Sequence, residues 1–328
     1  MAATASDSQI PLRFGWIGLG AMGNAMAKNV HKYLQSHAAL PLRFYNRTAS
    51  RGDALEALGG KRCASVVALA EESDIIFISA SDDTAVRSIV EQIISSGPGL
   101  GGKVVVDTTT IHPSTTREIS EELRAHGTYF AAAPVFGATP VAEQGRLLVA
   151  FAGPRHVYEK IAPLLGNAIA REVLQVGEEP EKAMLLKAAG NSMVAGLMEI
   201  IAEAHVFAEK TGLDPGVLEK LLELNFGTVA HSNSIRMTTG VYMPGEGEAP
   251  WSDLKLALKD VGHGVDSARQ VGVNLKVANT ALEHLRRAKA YSDENGHCPL
   301  DSSSLYGIVR QDSGLDFRTD HVKERDQL

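Results

Sequence analysis

Arg13-Phe14-Gly15-Trp16-Ile17-Gly18-Leu19-Gly20-Ala21-Met22-Gly23 is the stretch from which the fold can be read. Phe14, Trp16 and Ile17 make a short apolar run suited to a buried parallel strand, and the run breaks straight into glycines at the spacing G-x-G-x-x-G. Ala21, Met22, Ala25, Met26, Ala27 and Val30 then supply helix formers with an apolar stripe, so the glycines stand at a strand-to-helix junction. Gly18 allows a tight turn, Gly20 lets backbone come against a pyrophosphate, and Gly23 lets the helix pack closely on the strand. Unpaired N–H groups and the positive end of the helix dipole suit a diphosphate. Gly18, Leu19, Gly20, Ala21, Met22 and Gly23 are accordingly read as dinucleotide contacts; an ordinary glycine turn is the alternative, and the flanking elements weigh against it.

A second short strand, Leu42 to Tyr45, ends in Asn46-Arg47-Thr48. A dinucleotide fold discriminates its cofactor here, with an acid for the ribose hydroxyls of NAD or an arginine for the extra phosphate of NADP. The acid is absent. Arg47 offers a bidentate fork to a 2′-phosphate, with Asn46 and Thr48 able to donate beside it, which favours NADP while leaving NAD possible. A solvated turn arginine is the competing reading.

Strands and helices then alternate through Ile75 to Ile78, Thr84 to Ile94 and Val104 to Val106, as a doubly wound parallel sheet requires. Ligands of such sheets sit at the carboxyl ends of the strands. Ala80 and Ser81 after one run, and Thr110 within Asp107-Thr108-Thr109-Thr110 after the next, are therefore cofactor candidates, the alternative for the threonines being a helix cap before Pro113. Tyr129 to Ala133, Leu147 to Phe151 and the helix Arg155 to Leu165 bring the first domain to its end near 178.

Beyond that point the pattern is helical. Glu181 to Lys210 reads as one long helix, apolar almost all round and so expected to be buried. Lys187, Asn191, Glu199, Glu203 and His205 interrupt it, against a membrane span. Asp214-Pro215 opens a further helix, Ser252 is expected to cap another running to Gln270, and Leu275 to Ala290 forms one more. Gly240 to Pro250 is too rich in Gly and Pro for regular structure. The domain plan is thus a disordered tail at 1–12, a dinucleotide domain at 13–178, an all-helical domain at 179–310 and a polar tail at 311–328.

The chain has 328 residues, 44% hydrophobic and 22% charged, with a formal net charge of -7 that argues against nucleic acid as a main partner. Cys63 and Cys298 are too few for a disulfide framework, and no metal-ligand cluster is visible, so no metal is expected. The polar N-terminus has no apolar segment of a secretory signal, and the expected location is cytoplasmic, without a membrane partner. No G-x-S-x-G, H-E-x-x-H or G-x-x-x-x-G-K-[ST] occurs, leaving hydrolase, metalloprotease and nucleotide-triphosphatase readings without a signature.

Lys187 and Asn191 lie four apart in the long helix, one above the other on the same face. A lysine in an apolar setting is costly unless its ammonium reaches a partner, water or a cleft, and desolvation readily lowers its pKa. That suits proton transfer. A lysine snorkelling to the surface beside a core asparagine is the alternative.

Together these residues resemble the β-hydroxyacid dehydrogenase family, relatives of 3-hydroxyisobutyrate dehydrogenase and 6-phosphogluconate dehydrogenase, over roughly residues 13 to 290. G-L-G-A-M-G-N-A-M-A-K-N is similar to the family's cofactor motif, D-T-T-T-I-H-P from Asp107 to its D-x-S-T-x-x-P, K-A-A-G-N from Lys187 to its K-x-x-x-N helix, and L-K-D-V from Leu258 to its K-D-L segment. The resemblance implies a Rossmann-like doubly wound sheet domain followed by an all-α C-terminal domain joined by a long helix. It further implies hydride transfer between a substrate's hydroxyl carbon and NAD(P), with Lys187 as general acid or base and Asn191 orienting the substrate. Thr110 would stand near the nicotinamide and Lys259 over the cofactor. A homodimer or homotetramer through the helical domain is also implied.

One departure bears on the substrate. Where the family has D-A-P-V-S-G-G, this chain has Ala132-Ala133-Pro134-Val135-Phe136-Gly137-Ala138. Phe136, Gly137 and Ala138 are thus candidate substrate contacts, and Phe136 replaces a hydroxyl that in the family helps hold a carboxylate. The leading expectation is a small β-hydroxyacid or semialdehyde substrate. The alternatives are an imine or carbonyl reductase of the same fold acting on a non-carboxylate substrate, and a non-catalytic dinucleotide-binding scaffold.

Overall fold

Trp16 is fully buried and stacks on Phe77, ring centroids 5.2 Å apart at 17°, while its indole N–H donates to the Gly18 carbonyl at 2.9 Å. The strand before the glycine turn is thereby anchored at its last residues, in a computed structural model that describes residues 11–296 and 299–327. Most of the expected 1–12 tail, and Cys298, lie outside the described residues. The chain divides after Met184 into two compact units. The first turn of the long helix, with Ala183 and Met184, packs into the core of the first unit.

In the first unit Phe14–Ile17 (β1), Arg43–Tyr45 (β2), Lys61–Arg62 (β3), Ile75–Ile78 (β4), Val104–Asp107 (β5) and Tyr129–Ala132 (β6) run parallel in the order β3-β2-β1-β4-β5-β6. Val135–Phe136 (β7), Leu147–Ala152 (β8) and Ala170–Gly177 (β9) extend the sheet, with β8 antiparallel to β6 and β7 and parallel to β9. Alternate residues serve opposite faces. Phe77, Val104 and Val106 join Trp16 in one core, and Ile76, Ile78 and Val105 join Ile17 in another. Burial on both faces explains why these strands read as unbroken apolar runs.

Helices Ala21–Ser36 (α1), Asp83–Ile94 (α2), Pro113–Ala125 (α3) and Arg155–Ala168 (α4) connect the strands. The strand order reverses at β1, with β2 on one side and β4 on the other. Ile17 lies opposite Tyr45 and Ile78, and Ile78 opposite Asp107. The carboxyl ends of these four strands therefore align, and the loops beginning at Gly18, Asn46, Ser79 and Thr108 emerge along one edge, where doubly wound sheets bind ligands.

The second unit is built on Glu181–Thr211 (α5), with Gly227–Thr238 (α6), Leu254–Gln270 (α7), Lys276–Asn295 (α8), Leu305–Asp312 (α9) and Asp320–Arg325 (α10). Gly264 lets α7 press against α5: a Cβ there would fall 2.2 Å from Ser192 Oγ and 2.9 Å from the Ala188 carbonyl oxygen.

Three expectations need correction. The long helix is not buried all round. It is long and apolar enough by composition to cross a membrane, yet half of its most apolar window is inside the protein. Leu186, Met193, Ile200 and Phe207, spaced by seven, instead form an exposed stripe, with Met193 at 75% and Phe207 at 67% exposure. Asp253, not Ser252, caps α7, accepting from the Lys255 N–H at 2.7 Å; Ser252 stands one residue earlier, its N–H donating to Asp301 at 2.8 Å.

The third correction concerns 311–328, expected only as a polar tail; in its described part it is a packed segment. Phe317 is buried and stacks on Tyr291 at 3.8 Å, Val322 is fully buried, and the Tyr242 hydroxyl donates to the Phe317 carbonyl while accepting from the Thr319 N–H. Arg325 then donates to the carbonyls of Met243 and Gly240, tying the glycine-rich loop down.

Candidate active site

The three glycines of the first turn differ in what forbids a side chain. Gly18 has φ +97°, and a Cβ would lie 2.1 Å from the Ser79 carbonyl oxygen. Gly23 would place one 2.3 Å from the Gly18 carbonyl oxygen. At Gly20 a Cβ would meet nothing within 4 Å. The first and third glycines are thus required by the fold, whereas the second keeps space clear. No side chain caps α1, and its first turn carries no acid. Open N–H groups, a dipole end and a cleared approach fit the pyrophosphate of a dinucleotide.

Asn46 braces this turn. Its Oδ1 accepts from the Leu19 N–H at 2.8 Å and its Nδ2 donates to the Thr48 carbonyl at 2.8 Å. The sequence reading has this amide donating beside Arg47; both its ends engage main chain. Arg47 and Thr48 are exposed. No ion pair or hydrogen bond occupies the Arg47 guanidinium among the described residues.

The threonine run after β5 ties strand ends together. Thr108 Oγ1 donates to the Ile78 carbonyl at 2.8 Å, and Thr109 Oγ1 accepts from the Ala80 N–H at 2.9 Å. The helix cap that was the alternative for these hydroxyls is supplied by His112, which accepts from the Ser114 N–H. Ser81 donates to Asp82, the cap of α2. Thr110 is half-buried in the same loop. Phe136, also half-buried, lies on β7 opposite Leu148, and Ala138 precedes the short helix Thr139–Glu143. Gly137 has φ +131° and no room for a Cβ, which would sit 2.7 Å from Leu147.

In the second unit, Lys187 and Asn191 of α5 meet Lys259 and Asp260 of α7. Asn191 Nδ2 donates to Asp260 Oδ2 at 2.9 Å, and Lys259 Nζ donates to Asp260 Oδ1 at 2.7 Å. Lys187 is buried, with 8% of its surface exposed. Burial pulls its pKa down to about 8; the Asp260 carboxylate opposes that shift and the Lys259 charge adds to it. An amine so poised can give and take a proton near neutrality. Asp260 is the residue that sequence reasoning passed over. In sequence it stood beside Lys259 and inside the L-K-D-V match to the family's K-D-L segment, but its bond to Asn191, which joins positions 69 apart, left no local signal. Among the described residues, no group of three or more His, Cys, Asp or Glu is arranged to hold a metal ion.

Residues 13–177 match the NAD binding domain of 6-phosphogluconate dehydrogenase, and residues 182–306 the NAD-binding domain of NADP-dependent 3-hydroxyisobutyrate dehydrogenase. The chain is 34% identical over 301 residues to the NADH-dependent oxidoreductase ucdB of Aspergillus ustus, covering 91% of this chain and 99% of that one. Among solved structures it is similar to Mycobacterium tuberculosis 3-hydroxyisobutyrate dehydrogenase with L-serine (TM-score 0.77, 21% identity, 92% and 100% coverage). It is also similar to the Streptomyces aurantiacus imine reductase (TM-score 0.57, 22% identity, 90% and 99% coverage). The fold, the glycine turn and the relatives together define an NAD(P)-dependent oxidoreductase. The chain belongs to the β-hydroxyacid dehydrogenase family, which includes 3-hydroxyisobutyrate dehydrogenase.

Proposed function

We propose that the protein is an NADP-preferring reductase or dehydrogenase of a small β-hydroxyacid or semialdehyde, with Lys187 as general acid and base. The observation that carries this reading is the buried Lys187 amine, brought to about 8, on the same helix face as an asparagine whose amide is already oriented. When bound, the nicotinamide supplies or accepts the hydride. In oxidation neutral Lys187 takes the hydroxyl proton as the carbonyl forms; in reduction the ammonium returns it to the developing alkoxide and stabilises that charge. Asn191 orients the oxygen, and Thr110, Gly137 and Ala138 border the substrate. Gly18 to Gly23, Ala80, Ser81 and Lys259 hold the cofactor. Arg47 and the absence of an acid after β2 support NADP; the Aspergillus relative's name points to NADH, so cofactor choice must be measured on this chain.

The test is turnover of a panel of carboxylate-bearing semialdehydes and uncharged aldehydes, ketones and imines with NADPH. Lys187→Met should lower kcat by about 10²- to 10⁴-fold on any of them; unchanged turnover removes the proton-transfer role. A second reading, reduction of an uncharged imine or carbonyl, is favoured by Phe136 where the family has a serine, and by likeness to a protein titled an imine reductase. Turnover confined to the uncharged substrates decides for it.

We further propose a homodimer. The stripe Leu186, Met193, Ile200 and Phe207 has the seven-residue spacing of a helix-pairing seam and would be covered by the same stripe of a second copy.

A further inference from the structure

Resting on that reading of Lys187, we propose that Gly190 is a specificity-determining residue: it opens a notch in α5 beside Lys187 and Asn191 that takes an apolar substituent on the carbon next to the substrate's carbonyl. Gly190 stands in the interior of α5, half-buried, in a helical conformation that any residue can adopt. Glycine weakens a helix interior relative to alanine, so one placed there answers to packing or to a ligand. Two other helical glycines of this unit answer to packing. A Cβ at Gly196 would fall 2.9 Å from Val277 Cγ1, and one at Gly264 would strike Ser192 and the Ala188 carbonyl.

The position of Gly190 points to a ligand. At about 100° per residue it lies roughly 60° round the helix from Lys187, while Asn191 lies roughly 40° round on the opposite side. Beyond Asn191 come Ala188 and Ser192, where α7 presses in at Gly264. That flank is filled. On the other flank the first place is Gly190, whose neighbours one turn away are Leu186 and Lys187 on one side and Met193 and Val194 on the other. Leu186 is 36% exposed, Met193 75%, and Val194 is half-buried. Three apolar side chains and one amine thus border bare backbone. A substrate whose carbonyl oxygen is held at Lys187 and Asn191 can seat a neighbouring branch in this gap, and the rim favours a hydrocarbon group there over a charged one.

Gly190→Ala and Gly190→Leu are read against wild type and Lys187→Met in the full-length enzyme with NADPH. The substrates form two parallel series, semialdehydes with a terminal carboxylate and plain aldehydes, each bearing hydrogen, methyl or phenyl on the carbon next to the carbonyl. In the series that wild type turns over, the ratio of kcat/KM for the phenyl member to that for the hydrogen member should fall by about tenfold or more in Gly190→Leu, and by less in Gly190→Ala. Gly190→Ala should also melt about 2–4 °C above wild type, because the helix gains a better former and loses no packing. A melting temperature below wild type in Gly190→Ala, as a packing glycine would give, overturns the proposal. A ratio unmoved in Gly190→Leu, or a wild type that rejects the methyl and phenyl members, overturns it too, and an inactive Lys187→Met then leaves the function intact. Full activity in Lys187→Met, or a wild type inactive on both series, overturns both.

Discussion

His284 Nδ1 lies 2.7 Å from the carboxylate of Glu199, a glutamate only 2% exposed in the middle of the long helix. His284 Nε2 faces Asp312 at 3.5 Å, and Arg287 stands nearby with the opposite influence. The bond to Glu199, and then the two carboxylate charges, raise the imidazole above its ordinary value near 6.5. A raised histidine contributes stability that is complete below its unfolded pKa and is lost as pH rises through the folded one. Urea titrations of wild type and His284→Gln should therefore differ by about 1.5–3 kcal/mol at mildly acidic pH, the range for a hydrogen bond between charged groups. The difference should shrink toward alkaline pH; a gap constant across the series would show that the imidazole is not held charged.

Arg47→Ala should weaken NADPH by about ten- to a hundredfold, since a charge-assisted bond to a phosphate is worth about 1.5–3 kcal/mol. NADH should be barely affected. Equal loss for the two, measured as dissociation constants by fluorescence quenching, would remove the phosphate assignment.

The glycines predict a separation of stability from binding. Gly18→Ala meets both a positive φ and backbone 2.1 Å away, and should lower the melting temperature sharply. Gly20→Ala enters open space and should melt as wild type does, while losing most of its NADPH affinity to the methyl group standing in the ligand's path. A Gly20→Ala protein that binds NADPH normally would move the diphosphate elsewhere.

The exposed stripe on α5 is tested by Ile200→Asp or Phe207→Asp. Light scattering should report a dimer for wild type and a monomer for either variant. A wild-type monomer at micromolar concentration, or one that partitions into detergent, would argue for a different occupant of that face.

Much of the first unit was legible because its information is local. Both-sided burial makes Ile75-Ile76-Phe77-Ile78 and Val104-Val105-Val106 continuous in sequence, and the glycine spacing marks the junction directly. The second unit hides more. An all-round apolar helix is written the same way whether one's own core or a second molecule covers its far side, so Met193 and Phe207 could not be told from Met198 and Ile201. Polar composition disguised the C-terminal segment, where Phe317 and Val322 are buried anchors and Leu315 packs partly buried on the same core. Asp260 stood in the sequence only as the neighbour of Lys259 within L-K-D-V and was given no role, because its bond to Asn191 joins positions 69 apart.

The docking of Phe317, Val322 and Arg325 beside the loop at Gly240–Met243 bears on the order in which the chain can fold. The sheet unit has all of its strands by residue 177 and can close while translation continues. The helical unit has no such freedom: Phe317, Val322 and Arg325 follow its other packed elements in sequence, so its interior can close only after they have been made, and a chain cut before Phe317 would leave the Tyr242 side of that interior open to solvent.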